Sequence, residues 1–181
     1  MRFLPRLPLA ALLVAPALAL AASEPATREV PPQLFTADYA DYRAALAAAE
    51  AAGKLGAVAM FHWNGCPYCE RMKRDVLGEE AVRRWYGERF VTFAVDTRSS
   101  RRVRDFDGNQ PTERAFATES GVRITPTFIF YSRAGTPLYV HRGAIRDPAQ
   151  FIRLGEYVAD GAYRTQSFDV YSKVPTSKGN P

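Results

Sequence analysis

The stretch Ala57 to Asp75, AVAMFHWNGCPYCERMKRD, holds both cysteines of the 181-residue chain. Cys66 and Cys69 stand two residues apart, after an apolar run and at the head of a segment that reads as a helix. Pro67 suits the first helical position, where a missing N–H costs no intrahelical bond. Cys66 then falls at the cap, where unpaired backbone N–H groups and the positive end of the helix dipole favour a thiolate over a thiol. It is expected to be the attacking nucleophile. Cys69, about one turn on along the same helix face, is expected to be the more sheltered, resolving thiol.

Working outward from the pair, residues 1–22 read as a secretory signal peptide. Arg2 and Arg6 precede the apolar run Leu7 to Leu20, and small residues suited to cleavage follow at Ala19, Ala21 and Ala22. Pro8 and Pro16 interrupt that run, and it is shorter than the roughly 20 residues of a spanning helix. No stable membrane insertion is expected once the leader is removed. The formal charge of +5 for the whole chain falls with the loss of its two arginines to a mildly basic +3. Arg98, Arg101, Arg102 and Arg104 cluster without an interleaved aromatic platform or nucleic-acid motif, so they read as a solvated loop and not as a nucleic-acid surface, with a docking surface for an acidic partner as the alternative.

Export implies an oxidising compartment, where a disulfide often serves as a staple. Closing so short a loop, however, stabilises by only about 2 kcal/mol, against nearly 5 for a loop of about 100 residues. Neighbouring sulfurs at a helix start are better suited to exchange with other disulfides.

Residues 23–33, with Pro25, Pro31 and Pro32, read as an extended linker. A domain over 34–161 follows. Its expected elements are a helix over Ala37–Lys54, a strand over Gly56–His62, a cysteine helix over Pro67–Tyr86 divided near Gly78, and a strand over Phe90–Asp96. Thr97–Gln110 reads as a charged surface excursion, and Pro111 opens a short helix to about Ser120. Thr127–Ser132 and Pro137–His141 form a hairpin, and Asp147-Pro148 starts a last helix that ends near Gly161. This order gives an α/β plan, with a central mixed sheet flanked by helices. Residues 162–181 form a C-terminal extension whose Tyr163, Phe168 and Tyr171 are expected to pack back on the body.

From Phe35 to Asp160 the sequence resembles the thioredoxin-fold family. Two separated signals carry the likeness: the strand-to-helix CPYC turn, and Thr125-Pro126 in GVRITPTFIF, where that family places a cis-proline. The resemblance makes Thr125 and Pro126 substrate-facing, with the backbone before the proline pairing with the substrate chain. A closer likeness is to the periplasmic thioredoxins found with sulfur-oxidation systems, the SoxW-like group. It rests on the leader, FHWNGCPYCERMKRDVL, the charged insert before Pro111 and the ending EYVADGAYRTQSFDVY. It implies a periplasmic reductase that receives electrons from a membrane thiol-disulfide donor and passes them to oxidised exported proteins, with no dissociable cofactor.

The sequence also departs from that family. Met60 stands where thioredoxins bury a carboxylate, and Thr92 where they bury a lysine. Glu70 and His62 are the candidates for the missing proton transfer. Trp63 and Tyr68 are expected to flank the disulfide as an apolar lip, Trp63 being equally suited to core packing. The same chemistry would serve a disulfide-forming oxidant or an isomerase. A Cu(I) or zinc carrier is the alternative of another class, but a closed zinc site wants four ligands, and the chain offers two cysteines and two histidines, His62 and His141.

Overall fold

The apolar runs that stand out in the sequence become the strands of the sheet. In the computed structural model, which describes residues 33–37 and 39–174, the strands are β1 (Gly56–His62), β2 (Phe90–Asp96), β3 (Thr127–Ser132) and β4 (Pro137–Arg142). Their order across the sheet is β2-β1-β3-β4. β1 runs parallel to β2 and antiparallel to β3, and β3 and β4 form an antiparallel hairpin. The central strands β1 and β3 are covered on both faces, which is why they read as continuous apolar runs. β4, at the edge, is only half-buried.

The sheet separates two apolar cores. Val58 and Met60 of β1 point into one, with Met72, Val76, Val82, Tyr86, Phe151 and both cysteines. Ala57, Ala59 and Phe61 point into the other, with Tyr42, Leu46, Phe93 and Phe116. This alternation is the period of two expected of a strand.

The first helix, α1 (Tyr42–Ala51), is shorter than the expected Ala37–Lys54. The chain before it is held extended by bridges from Ala37 to Phe93 and from Asp41 to Arg104. Asp41 caps the helix by accepting the Arg43 N–H at 2.9 Å. The cysteine helix is likewise broken up. It comprises α2 (Pro67–Met72), a π-helical turn over Lys73–Leu77, and α3 (Glu80–Arg89), with Gly78 at the division.

The expectation for Thr97–Gln110 is corrected. Val103 and Asp105 are buried there, because Asp105 gathers the N–H groups of Asp107 and Asn109 and the Asn109 amide. The arginine cluster is not simply solvated either. Arg101 donates at 2.8 Å to Glu113, which is 4 % exposed at the start of α4 (Glu113–Glu119). Arg102 donates to the Gln110 carbonyl. Arg104 lies 3.8 Å from Asp41. That α4 begins at Glu113 and not at Pro111 follows from Thr112, whose hydroxyl caps it.

Asp147 caps α5 (Pro148–Ala159), with Pro148 in the first turn. A 3₁₀ turn over Ala162–Arg164 and the short α6 (Phe168–Tyr171) follow. Phe168 and Tyr171 bury against Tyr157, with ring centroids 5.5 and 5.2 Å away. Arg153 of α5 lies over the Tyr171 ring and donates to the carbonyls of Tyr171 and Val174. The expected leader and the last seven residues of the C-terminal extension lie outside the described residues.

Candidate active site

β1 delivers the chain to the Trp63–Gly65 turn, and α2 begins at Pro67 with Cys66 as its cap. Cys66 has extended backbone angles, φ −65° and ψ 110°, and its sulfur accepts the Cys69 N–H at 3.2 Å. A sulfur placed there faces the positive end of the helix. Gly65 enables the turn, since its φ of +95° is a conformation L side chains rarely adopt and the Trp63 ring closes over it.

Cys66 and Cys69 are joined in a disulfide, with Cα atoms 5.3 Å apart. The sequence leads one to expect Cys69 to be the more sheltered. In the disulfide both are covered, Cys66 at 1 % and Cys69 at 0 % exposure, because the start of α2 is packed into the same core as Met60 and Phe128.

Opposite the disulfide stands the turn before β3. The Thr125-Pro126 peptide bond is cis, and Thr125 Oγ1 lies 3.3 Å from Cys66 Sγ. The structure thus brings together Cys66, Cys69, Thr125 and Pro126 from two segments about 60 residues apart. The pairing of β1 with β3 fixes this approach by setting Phe61 opposite Thr127.

The flanking aromatics differ from each other. Tyr68 is 59 % exposed. Trp63 is half-buried against the core, and the Arg98 guanidinium sits 3.6 Å above its ring centroid. The sequence gives Arg98 as one of a basic cluster, but nothing local pairs it with Trp63.

Glu70 is exposed on α2, ion-paired to Lys73 at 3.0 Å. His62 is half-buried, and its Nδ1 is buried with no hydrogen-bond partner. Burial lowers its pKa from the usual histidine value; Lys73 pushes the same way, while Asp96 and Glu70 oppose. Met60 is fully buried where a carboxylate would otherwise sit. Thr92 accepts the Phe35 N–H at 3.1 Å, which ties the start of the domain to β2. Among the described residues no group of three or more His, Cys, Asp or Glu is gathered as for a metal ion, and no helix is long and apolar enough to cross a membrane.

Comparison with known proteins agrees with this geometry. No curated protein sequence matches the chain. Among solved structures, a thioredoxin-fold protein from Helicobacter pylori is similar with a TM-score of 0.58 and 22% identity, over 78% of this chain and 91% of that one. A thioredoxin from Thermus thermophilus gives a TM-score of 0.55 and 27% identity, over 75% and 95%. A protein described as a putative disulphide-isomerase from Bacteroides thetaiotaomicron gives 0.54 and 19%, over 75% and 100%. The family model described as a thioredoxin-like domain matches residues 42–159, a span that contains the cysteine turn, the cis-proline loop and all four strands. The chain therefore belongs to the thioredoxin-like domain family.

Proposed function

We propose that this protein is an exported thiol-disulfide oxidoreductase that reduces disulfides of periplasmic proteins. The observation that carries this reading is the placement of Cys66 Sγ at the start of α2, 3.3 Å from the hydroxyl of the cis-proline loop. The helix start and the Thr125 hydroxyl are both suited to stabilise a thiolate there.

In the reduced protein the Cys66 thiolate attacks one sulfur of a substrate disulfide. A mixed disulfide forms and one substrate thiolate leaves, taking a proton from solvent. Cys69 loses its proton and attacks Cys66 Sγ, so the second substrate sulfur departs as a thiolate. Two electrons have then passed to the substrate, and the protein carries the Cys66-Cys69 disulfide. A membrane dithiol donor restores it by the reverse exchange. His62, half-buried with its Nδ1 unpartnered, is the candidate to accept the Cys69 proton, whereas Glu70 is engaged by Lys73. Thr125 and Pro126 border the substrate chain, with Trp63 and Tyr68 on the flanks.

The apolar leader supports export, and the sequence's resemblance to the SoxW-like group supports clients among exported thiol proteins of sulfur metabolism. Two measurements test the reading. Cys66→Ser is expected to abolish disulfide reduction, and Cys69→Ser to trap a covalent adduct with substrate that dithiothreitol releases. Normal activity in Cys66→Ser would overturn the mechanism. The reduction potential sets the direction: a value near thioredoxin's about −270 mV supports a reductase, and one near about −120 mV would make the protein an oxidant.

A further inference from the structure

We infer that the face around the disulfide selects clients whose cysteine lies in an acidic segment bearing an apolar side chain. The inference rests on the oxidoreductase reading and adds a substrate class to it.

A cleft of about 130 Å³ opens beside the cysteine turn, between α2 and the segment that follows β4. Tyr68, Met72, Val76 and Ile145 form its apolar walls. That volume is close to the roughly 150 Å³ of an apolar cavity that holds a benzene ring, so it takes one aliphatic or aromatic side chain. Tyr68 is 59 % exposed, and on the other flank of the disulfide Ile124 is 52 % exposed. A protein that approaches the nearly covered Cys66 sulfur must bury both.

The charges bordering this apolar surface are uneven. Arg71 and Arg146 line the cleft, Arg98 covers Trp63, and the exposed Arg123 precedes Ile124. None of the four is in an ion pair among the described residues. Of the acids nearby, Asp75 is held by Arg74 at 2.7 Å and Glu70 by Lys73 at 3.0 Å, while Asp147 and Asp96 accept the backbone N–H groups of Ala149 and Arg98, so the four guanidinium groups face two carboxylates that no side-chain cation holds among the described residues. Four guanidinium groups without an ion pair among the described residues, Arg98 being stacked on Trp63, surround the apolar lip and complement carboxylates on the partner, and such complementarity acts mainly on encounter rate and choice of partner.

Two synthetic peptides test this, each closed by an internal disulfide with a leucine beside one cysteine, and differing only in flanking aspartates or lysines. With dithiothreitol as the terminal reductant, the full-length mature protein is expected to show a kcat/KM for the aspartate peptide about tenfold or more above that for the lysine peptide at low salt. The preference is expected to shrink as salt rises. Arg71→Glu combined with Arg146→Glu is expected to reduce or invert the ratio, and leucine-to-serine in the peptide to raise KM. Equal rates for the two peptides, or a ratio insensitive to salt and to the arginine pair, would overturn the inference while leaving the oxidoreductase reading intact. Failure to reduce either peptide faster than Cys66→Ser does would overturn both.

Discussion

Thr125 Oγ1 stands 3.3 Å from Cys66 Sγ, joining two segments 59 residues apart in the chain. A hydroxyl so placed can donate to a thiolate, and a hydrogen bond to a charged acceptor contributes about 1.5–3 kcal/mol. Removing that donor disfavours the thiolate, so Thr125→Ala is expected to raise the pKa of the reduced Cys66 thiol. Thiolate absorbance near the ultraviolet edge, followed against pH, checks this. An unchanged titration would show that the hydroxyl does not support the thiolate.

A second prediction concerns α3 and α5. A Cβ on Gly155 would lie 2.1 Å from the Trp85 ring and 3.0 Å from that of Tyr86. Glycine inside a helix ordinarily costs about 1 kcal/mol relative to alanine. Here the overpacking outweighs that gain, and Gly155→Ala is expected to destabilise by about 1–2 kcal/mol. In a Trp85→Ala background the same change is expected to be neutral or stabilising. Urea unfolding of the four proteins of this cycle tests the pair.

The buried Glu113 carboxylate is served by Arg101 at 2.8 and 3.4 Å. Removing the guanidinium leaves a buried charge without its principal partner, so Arg101→Leu is expected to cost about 2–3 kcal/mol. Glu113→Gln, which keeps an acceptor and creates no orphaned charge, is expected to cost less. Chemical denaturation near neutral pH compares the two. The opposite ranking would mean that the pair holds no weight in anchoring the 97–112 loop to α4.

Stability is also expected to depend on pH through His141. Its imidazole is half-buried on β4, with its ring centroid 6.1 Å from that of Phe168. Burial lowers its pKa, opposed by Asp169. The unfolded chain, with histidine near its ordinary value of about 6.5, takes up the proton first. The stabilisation is therefore present above that value and is lost as pH falls through the folded-state pKa. His141→Phe is expected to flatten the slope of unfolding free energy against pH below about 6.5. His62, lowered in the same direction, leaves a residual slope.

Three of the four strands are legible in the sequence with their full bounds, Gly56–His62, Phe90–Asp96 and Thr127–Ser132. Each is apolar and bounded by a glycine, a turn or a proline, so local chemistry specifies it. The cysteine turn and Thr125-Pro126 are legible as well, although their meeting is a property of the β1–β3 pairing. What sequence misses is non-local. Ala37 is claimed by Phe93 before α1 can begin, and the charged loop buries Val103 and Asp105 through bonds that compete with hydration. Arg98 finds Trp63 across 35 positions of sequence. The short α6 did carry a local signal, since Ser167 caps it by accepting the Val170 N–H.

Because β1 and β3 send alternate side chains to opposite faces, the sulfurs share their core with α2, α3 and α5, while α1 and α4 belong to the other layer. Among the described residues the two cores form separate clusters with the sheet between them. A probe, tether or immobilisation handle attached to the solvent side of α1 or α4 would thus report on or hold the molecule with the sheet standing between it and the sulfurs. For anyone building a sensor or an immobilised catalyst from this chain, that remote layer is the side from which to grip it.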